Sequence, residues 1–205
     1  MSDLIRLRED SWIDKDDQKL QSSSWFYGPN VEDIYNSYLE LDIDGNGTLS
    51  AEELYKFGGV LPNDSIRLTK ACIARLFEEV VTYTPVELDY KGYIDLVLAL
   101  GDRTSISSIS YFWKILDIEK TGHLSRENIL YFYKEIFNSL KEHDCDAPSP
   151  ENVVIEVYDI LSCQDPEGPT LSDLISSKQG HIITSMLLDV TGFWQYDNRE
   201  SLQQQ

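Results

Sequence analysis

The chain has 205 residues, with 36 acids against 17 bases and a formal net charge of −19. Phosphate recognition needs clustered Lys and Arg, so this balance argues against nucleic acid as a ligand and against docking on an anionic membrane. A hydrophobic fraction of 41% is too high for a disordered acidic tail and points to a soluble, intracellular globular protein with cationic partners, metal ions or basic protein surfaces.

In chain order, Met1 is followed by Asp3, Arg6, Arg8, Glu9 and Asp10, which leaves no apolar region of a signal peptide. A short helix is expected near Asp3–Glu9, then a Ser-rich linker ending in Trp25, Phe26 and Tyr27, an aromatic cluster expected to pack back on the body. Asn30 can cap a helix from Val31, with Val31, Ile34, Tyr35, Tyr38 and Leu41 at helical spacing. Gly58, Gly59 and Pro62 break the chain after a second helix. A third helix fits Ser65–Val81, with Ile66, Ile73, Leu76, Phe77 and Val80 on one face, and Pro85 ends that region. Tyr93–Leu100 reads as a short turn into a helix. Two further apolar stripes follow, Ile106, Ile109, Trp113 and Leu116, then Ile129, Phe132, Tyr133, Ile136, Phe137 and Leu140. Ser149 as N-cap with Pro150 at the first helical position opens the next helix, whose stripe is Val154, Val157, Tyr158 and Leu161. A short helix fits Leu171–Ser176, Gly180 reads as a stop, Ile182–Leu188 is strongly apolar, and Ser201–Gln205 looks frayed. The result is an almost all-α chain in which a helix–loop–helix unit repeats about four times, with loops near 42–53, 87–93, 117–128 and 164–172.

The first loop carries the chemistry. Residues 42–53 read DIDGNGTLSAEE and fill the calcium-loop pattern D-x-[DN]-x-[DN]-G-x5-E at every position. Calcium is a hard cation that takes six to eight oxygens at about 2.3–2.6 Å. Asp42, Asp44 and Asn46 supply side-chain oxygens at loop positions 1, 3 and 5, and Gly47 permits the sharp turn at position 6. Thr48 offers its backbone carbonyl at position 7, and Ser50 acts directly or through water at position 9. Glu53 closes the site at position 12 with both carboxylate oxygens and ties the following helix to the ion. Leu49 at position 8 is apolar, as pairing with a neighbouring loop across a short β-bridge requires.

The other loops are degenerate. Residues 117–128, DIEKTGHLSREN, keep the frame through Asp117, Glu119, Thr121, Gly122 and Leu124, but Asn128 cannot give a bidentate carboxylate. Residues 87–98, ELDYKGYIDLVL, read as a metal-free hand with Gly92 as the turn, Ile94 as the bridge residue and Leu98 in place of the closing Glu. In 164–175, QDPEGPTLSDLI, only Leu171 and the helical flanks survive. EF-hands come in pairs, so the expected architecture is all-α, with two EF-hand pairs, one well-formed calcium loop and three degenerate ones. The expected boundaries are 1–29 for an N-terminal helix and linker, 30–102 for the first pair, 103–190 for the degenerate second pair and 191–205 for a C-terminal tail.

An enzyme is not expected. The chain has 3 His (His123, His143 and His181) and no HExxH, GxSxG or P-loop pattern. Cys72 sits on an apolar helical face and reads as a core thiol, and the 3 Cys show no CxxC spacing. Tyr111, Phe112 and Trp113 with Tyr131, Phe132 and Tyr133 read first as core.

Several segments resemble the regulatory B″ subunits of protein phosphatase 2A: DYKGYIDLVLALGDR (Asp89–Arg103), YFWKILDIEKTGHLS (Tyr111–Ser125), LYFYKEI (Leu130–Ile136) and LSDLISSKQGHIITSMLLDVTGFWQYDNRE (Leu171–Glu200). The last is similar to the gamma-type subunits, which include the plant TONNEAU2/FASS proteins. The resemblance covers nearly the whole chain, and because family members are about twice as long it implies a C-terminal half. It further implies a non-catalytic subunit that docks on the phosphatase scaffold and catalytic subunits, with calcium tuning the assembly and directing the holoenzyme to substrates or cytoskeletal sites. The implied location is cytoplasmic, nuclear, or at the microtubule and centrosome apparatus. Carried over residue by residue, the ligands are Asp42, Asp44, Asn46, Thr48 and Glu53. The alternative is a stand-alone EF-hand calcium sensor that binds amphipathic target helices. Such grooves are Met-rich, and of the 2 Met here only Met186 is placed to serve one.

Overall fold

The computed structural model describes residues 28–57, 66–79 and 87–202. The helix expected near Asp3–Glu9, the Trp25–Phe26–Tyr27 cluster and the breaks at Gly58, Gly59, Pro62 and Pro85 lie outside the described residues. The chain divides into two compact units, residues 1–37 and residues 38–205.

The elements follow the helical stripes. Helix α1 (Gly28–Leu41) begins two residues before Asn30, so Asn30 lies in its first turn and is not its cap. Strand β1 (Leu49–Ser50) runs directly into the short helix α2 (Ala51–Leu54). Helix α3 (Lys70–Glu79) starts later than the apolar pattern suggested. Leu68 is held extended in an antiparallel bridge to Asp189, and Thr69 then caps the helix, its hydroxyl accepting from the Cys72 N–H at 3.1 Å. Strand β2 (Glu87–Leu88) leads into α4 (Tyr90–Gly101). Helices α5 (Ile106–Leu116), α6 (Arg126–Glu142), α7 (Pro150–Ile160) and α8 (Leu171–Ser176) complete the repeats. Ser105, Ser125 and Ser149 cap α5, α6 and α7, and Pro150 takes the first position of α7 as its fixed φ favours. Three more helices follow, α9 (Gly180–Leu188), α10 (Val190–Asp197) and α11 (Arg199–Leu202). Gly180, expected as a stop, instead opens α9, where the Leu174 carbonyl approaches too closely for a side chain. His181, the next residue, is helical as well.

The four hands are visible, but two sit in a different frame from the one their sequences suggested. In the first pair, β1 and β2 form an antiparallel ladder that sets Leu49 opposite Leu88 and Ser50 opposite Glu87. The bridge residue of the second hand is thus Leu88, six residues before Ile94. Asp89 caps α4 by accepting from the Gly92 N–H at 2.8 Å, which commits Gly92 and Ile94 to helix. In the second pair, the Leu124 N–H donates to the Pro169 carbonyl at 2.8 Å, and His123 pairs with Thr170. Pro169, not Leu171, is therefore the bridge residue of the fourth hand. Proline has no N–H, so it can accept from Leu124 but not donate back. Leu171 is instead the first residue of α8, with Thr170 as its cap.

The core lies where the stripes meet. Helix α3 packs on α5 and α6, and α9 packs on α5, α6, α8 and α10. Phe112, Ile115, Leu116, Phe132, Tyr133, Ile136, Ile183 and Leu187 are buried at this junction. Tyr131 of the expected aromatic stripe faces outward, because it sits beyond the Phe132–Tyr133 edge of α6. The segment after residue 190 is part of this body. Phe193 on α10 is buried, with its ring centroid 5.0 Å from that of Tyr133.

Candidate metal centre

The loop between α1 and β1 is folded by its own ligand side chains. Asp42 accepts from the Asn46 N–H at 3.1 Å with Oδ1 and from the Gly47 N–H at 2.9 Å with Oδ2. Asp44 Oδ1 accepts from the same Asn46 N–H at 3.0 Å. Gly47 takes φ +81°, the left-handed region that glycine enters without penalty. Tyr38, one turn before the loop, donates its hydroxyl to the Gly47 carbonyl at 2.6 Å. Its ring lies 4.9 Å from Tyr90 and 5.3 Å from Tyr93, centroid to centroid, which ties the loop to α4. Burial, then the charges of Asp42, Asp89 and Glu53, push the Tyr38 hydroxyl up to about 12, so it remains a donor.

Glu53 reaches back from α2 to close the loop. Its Oε2 accepts from the Ser50 N–H at 2.9 Å and the Ser50 hydroxyl at 2.8 Å, and its Oε1 accepts from the Ile43 N–H at 2.9 Å. The Ser50 hydroxyl in turn accepts from the Glu53 N–H, completing a reciprocal capping box. These donors, those of Ser50 first, hold the Glu53 carboxyl below its usual range despite burial. Glu53 is charged and only 7% exposed.

The geometry brings the three predicted carboxylates together. One oxygen each from Asp42, Asp44 and Glu53 lies within 4.8 Å of the others, and this is the group of acids that converges in that way among the described residues. Asn46 is bonded into the same cluster, its Nδ2 donating to Asp44 Oδ2 at 3.1 Å. Thr48 stands beside it, its N–H donating to Asn46 Oδ1 at 2.8 Å. Ser50, expected to act directly or through water, caps α2. The donor set is all oxygen, with three negative charges to be offset, and it fits a hard divalent cation of calcium's size. In the loop as folded, mutual repulsion opposes the convergence of the carboxylates, and a bound cation would relieve it.

The third hand shows what the first would be without its closing acid. Asp117 accepts from the Thr121 N–H at 3.0 Å and the Gly122 N–H at 2.9 Å, the same turn that Asp42 makes. Asn128, in the place of Glu53, accepts from the Ser125 hydroxyl with its Oδ1 and donates its Nδ2 to the Leu116 carbonyl at 2.9 Å. Lys120 pairs with Glu79 on α3 at 3.2 Å, and Glu79 also holds Arg75 at 2.7 Å. In the fourth hand, Asp173 repeats the capping box with Thr170, and among the described residues it belongs to no group of three converging ligand side chains.

Two residues at the first loop escaped the sequence. Tyr38 read only as part of an apolar stripe. Glu87 read as the start of the second loop, yet the β1–β2 ladder places its carboxylate against Thr48 and Asn46, with Oε2 2.8 Å from the Thr48 hydroxyl. The signal for Glu87 was its place one residue before an apolar bridge residue. Elsewhere, Cys72 is fully buried, and burial pushes its thiol up to about 12, as suits a core thiol. Met186, the methionine placed to serve a target groove, is instead inside the core at 1% exposure. Among the described residues no helix is long and apolar enough to cross a membrane.

No protein-family model matches the chain. Among curated proteins, it is 39% identical over 202 residues to the gamma-type B″ regulatory subunit of serine/threonine-protein phosphatase 2A from Homo sapiens, covering 98% of this chain and 42% of that protein. The protein of the same name from Xenopus tropicalis is 40% identical over 98% of this chain and 43% of its own length. The probable B″ regulatory protein TON2 of Arabidopsis thaliana is 30% identical over the whole of this chain and 42% of its own. The chain thus spans about two fifths of these relatives, all named as regulatory subunits. A solved chain described as a PP2A PR70 holoenzyme superposes with a TM-score of 0.72 at 20% identity, covering 83% of this chain and 61% of that one. That likeness supports the fold.

Proposed function

The chain is a homologue of the gamma-type B″ regulatory subunits of protein phosphatase 2A over 98% of its length, and from that premise we propose that it is a calcium-binding, non-catalytic part of such a protein. The observation that carries the calcium reading is the convergence of Asp42, Asp44 and Glu53 within 4.8 Å in a loop braced by the second hand. Asp42, Asp44 and Asn46 would supply side-chain oxygens, Thr48 its carbonyl, and Glu53 the closing carboxylate. A bound calcium ion would supply positive charge that holds the loop and α2 in one arrangement; the third hand, closed by Asn128, would bind calcium weakly at most.

The partners in this reading are the phosphatase scaffold and catalytic subunits, supported by the names of the relatives. The acidic surface, with 36 acids against 17 bases, suits basic protein surfaces and disfavours nucleic acid. Directing the holoenzyme to substrates or cytoskeletal sites, in the cytoplasm, the nucleus or at the microtubule and centrosome apparatus, rests on the family resemblance. The test is co-purification of the 205-residue chain with scaffold and catalytic subunits, in calcium and in chelator. Recovery of both subunits, tighter in calcium, is expected. Recovery of neither overturns the phosphatase reading, and equal recovery in chelator overturns the regulatory role of calcium.

A further inference from the structure

The Thr48 hydroxyl has one proton and two acceptors. Its oxygen lies 2.7 Å from Asn46 Oδ1 and 2.8 Å from Glu87 Oε2, and a hydroxyl can donate to one of them at a time. Asn46 Oδ1 is the atom through which Asn46 would bind a cation, and it already accepts from the Thr48 N–H at 2.8 Å. If it takes the hydroxyl proton as well, both of its lone pairs are spent. Glu87 offers that proton a charged acceptor, and such hydrogen bonds are about twice as strong as neutral ones. Its other oxygen, Oε1, lies 3.4 Å from Asn46 Nδ2 and draws the amide N–H end toward β2, which leaves the carbonyl end to face the loop.

We propose that Glu87, contributed by the metal-free second hand, is a positioning residue of the calcium loop: it takes the Thr48 hydroxyl proton and so frees Asn46 Oδ1 for the ion. The ladder that sets Ser50 opposite Glu87 makes this possible, because it fixes the carboxylate beside residues 46–48 whether or not a cation is present. The second hand would thus contribute to the site without ligating anything. The Glu87 carboxylate adds negative charge beside the cation and sets the orientation of a ligand, as outer-shell partners of metal ligands do elsewhere.

This inference rests on calcium binding at the first loop, so calorimetric titration of the full chain with calcium comes first. Absence of calcium heat in the wild-type protein overturns that reading and this one with it. Given binding, Glu87→Ala is expected to weaken affinity by about tenfold, in the range that loss of an outer-shell partner costs. Glu87→Gln, which keeps an acceptor oxygen, is expected to recover part of the loss. The discriminating measurement is the same Glu87→Ala change in a Thr48→Val background. Valine keeps the carbonyl and the shape but has no hydroxyl proton to place. There the Glu87→Ala loss should shrink severalfold. Wild-type affinity in both Glu87 variants overturns the proposal. So does an equal loss with and without the Thr48 hydroxyl, which would leave only the charge of Glu87 at work.

Discussion

Asp173 holds Thr170 with the same two hydrogen bonds by which Glu53 holds Ser50. Its Oδ2 accepts from the Thr170 N–H at 2.8 Å and from the Thr170 hydroxyl at 2.7 Å, against 2.9 and 2.8 Å in the first hand. The acid three residues after the bridge-side cap therefore has a structural task that survives the loss of metal ligands. In the first hand that task and the closing of the proposed metal loop fall on one carboxylate. In the fourth hand the cap alone is left.

The Asp173 cap carries a pH signature. The Thr170 N–H and hydroxyl hold the Asp173 carboxyl below its ordinary range. A folded-state value below the unfolded one, near 3.9, means that the unfolded chain binds more protons in that window. The stabilisation is then complete above about pH 5 and is lost as pH falls through the folded value. Asp173→Asn should lower stability at neutral pH by about 1 kcal/mol, the usual worth of such a cap. The gap from wild type should shrink as pH drops below about 4, measured as thermal midpoints across pH 2.5–7. A gap independent of pH would show that the charge of Asp173 does not contribute.

Glu53 separates the structural task from the metal. A ligand bound only to the folded state stabilises it by about 2.7 kcal/mol at a hundredfold excess over Kd. Wild-type protein should show that gain in calcium by chemical denaturation. Glu53→Gln retains acceptor and donor groups for the capping box but loses the second charged oxygen. It is expected to fold in chelator and to gain little at the same calcium concentration. A full calcium response in Glu53→Gln would remove Glu53 from the ligand set.

How far the fold could be read depended on what fixed the frame of each hand. In residues 42–53 the complete calcium-loop pattern marks the frame, so the sequence located Asp42, Gly47, Leu49 and Glu53 without ambiguity, and the structure brings the carboxylates together. In the second and fourth hands no ligands remain to mark the frame, and two apolar residues competed for each bridge. Helix caps decided between them. Asp89 bonding to Gly92 made Leu88 the bridge and placed Ile94 in helix, and Thr170 bonding to Asp173 moved the bridge from Leu171 to Pro169. A proline in a bridge position is what a strand pattern argues against, and it is tolerated because only its carbonyl is used. Glu87 was illegible for a related reason: its neighbours Thr48 and Asn46 lie 39 and 41 residues away, across a pairing whose bridge residue the sequence placed at Ile94 instead of Leu88.

Gly168 marks how tightly the fourth hand sits on the third. It takes φ +111°, and a Cβ there would meet the Leu124 carbonyl well inside contact distance. That carbonyl belongs to rigid bridge backbone and cannot swing away. At Gly92 the obstruction is the Leu88 Cδ1, the end of a side chain that can change rotamer. Gly168→Ala should therefore cost about 2 kcal/mol or more, and Gly92→Ala clearly less, both by urea denaturation. The reverse order would mean that the contact between Leu124 and Pro169 yields more easily than the packing of Leu88.

Beside the packing of α3 on α5 and α6, the two hand pairs meet at a buried carboxylate that no motif or apolar stripe marks. Asp189 is 3% exposed, and its Oδ1 accepts from the N–H groups of Arg67 and Thr191 at 2.9 and 3.0 Å. Its Oδ2 pairs with the Arg103 guanidinium at 3.0 Å, while Arg103 also donates to the Ser185 hydroxyl at 2.8 Å. Backbone bonds from Thr69 to Leu188 and from Val190 to Arg67 run alongside, so the entry to α3 and the end of α9 are clasped together. Removing one member of a buried pair costs more than the pair itself contributes, because the other charge is left without compensation. The two truncations are not equivalent. Arg103→Ala leaves Asp189 with two N–H donors that still stabilise its charge. Asp189→Ala leaves Arg103 with one neutral hydroxyl and orphans both N–H groups. Asp189→Ala should therefore cost about 3 kcal/mol or more, and Arg103→Ala less, by denaturant unfolding at neutral pH. The double variant should cost less than the sum, since each single change breaks the same contact. Strict additivity would mean that the Arg103–Asp189 pair carries none of the clasp and that the backbone bonds hold it alone.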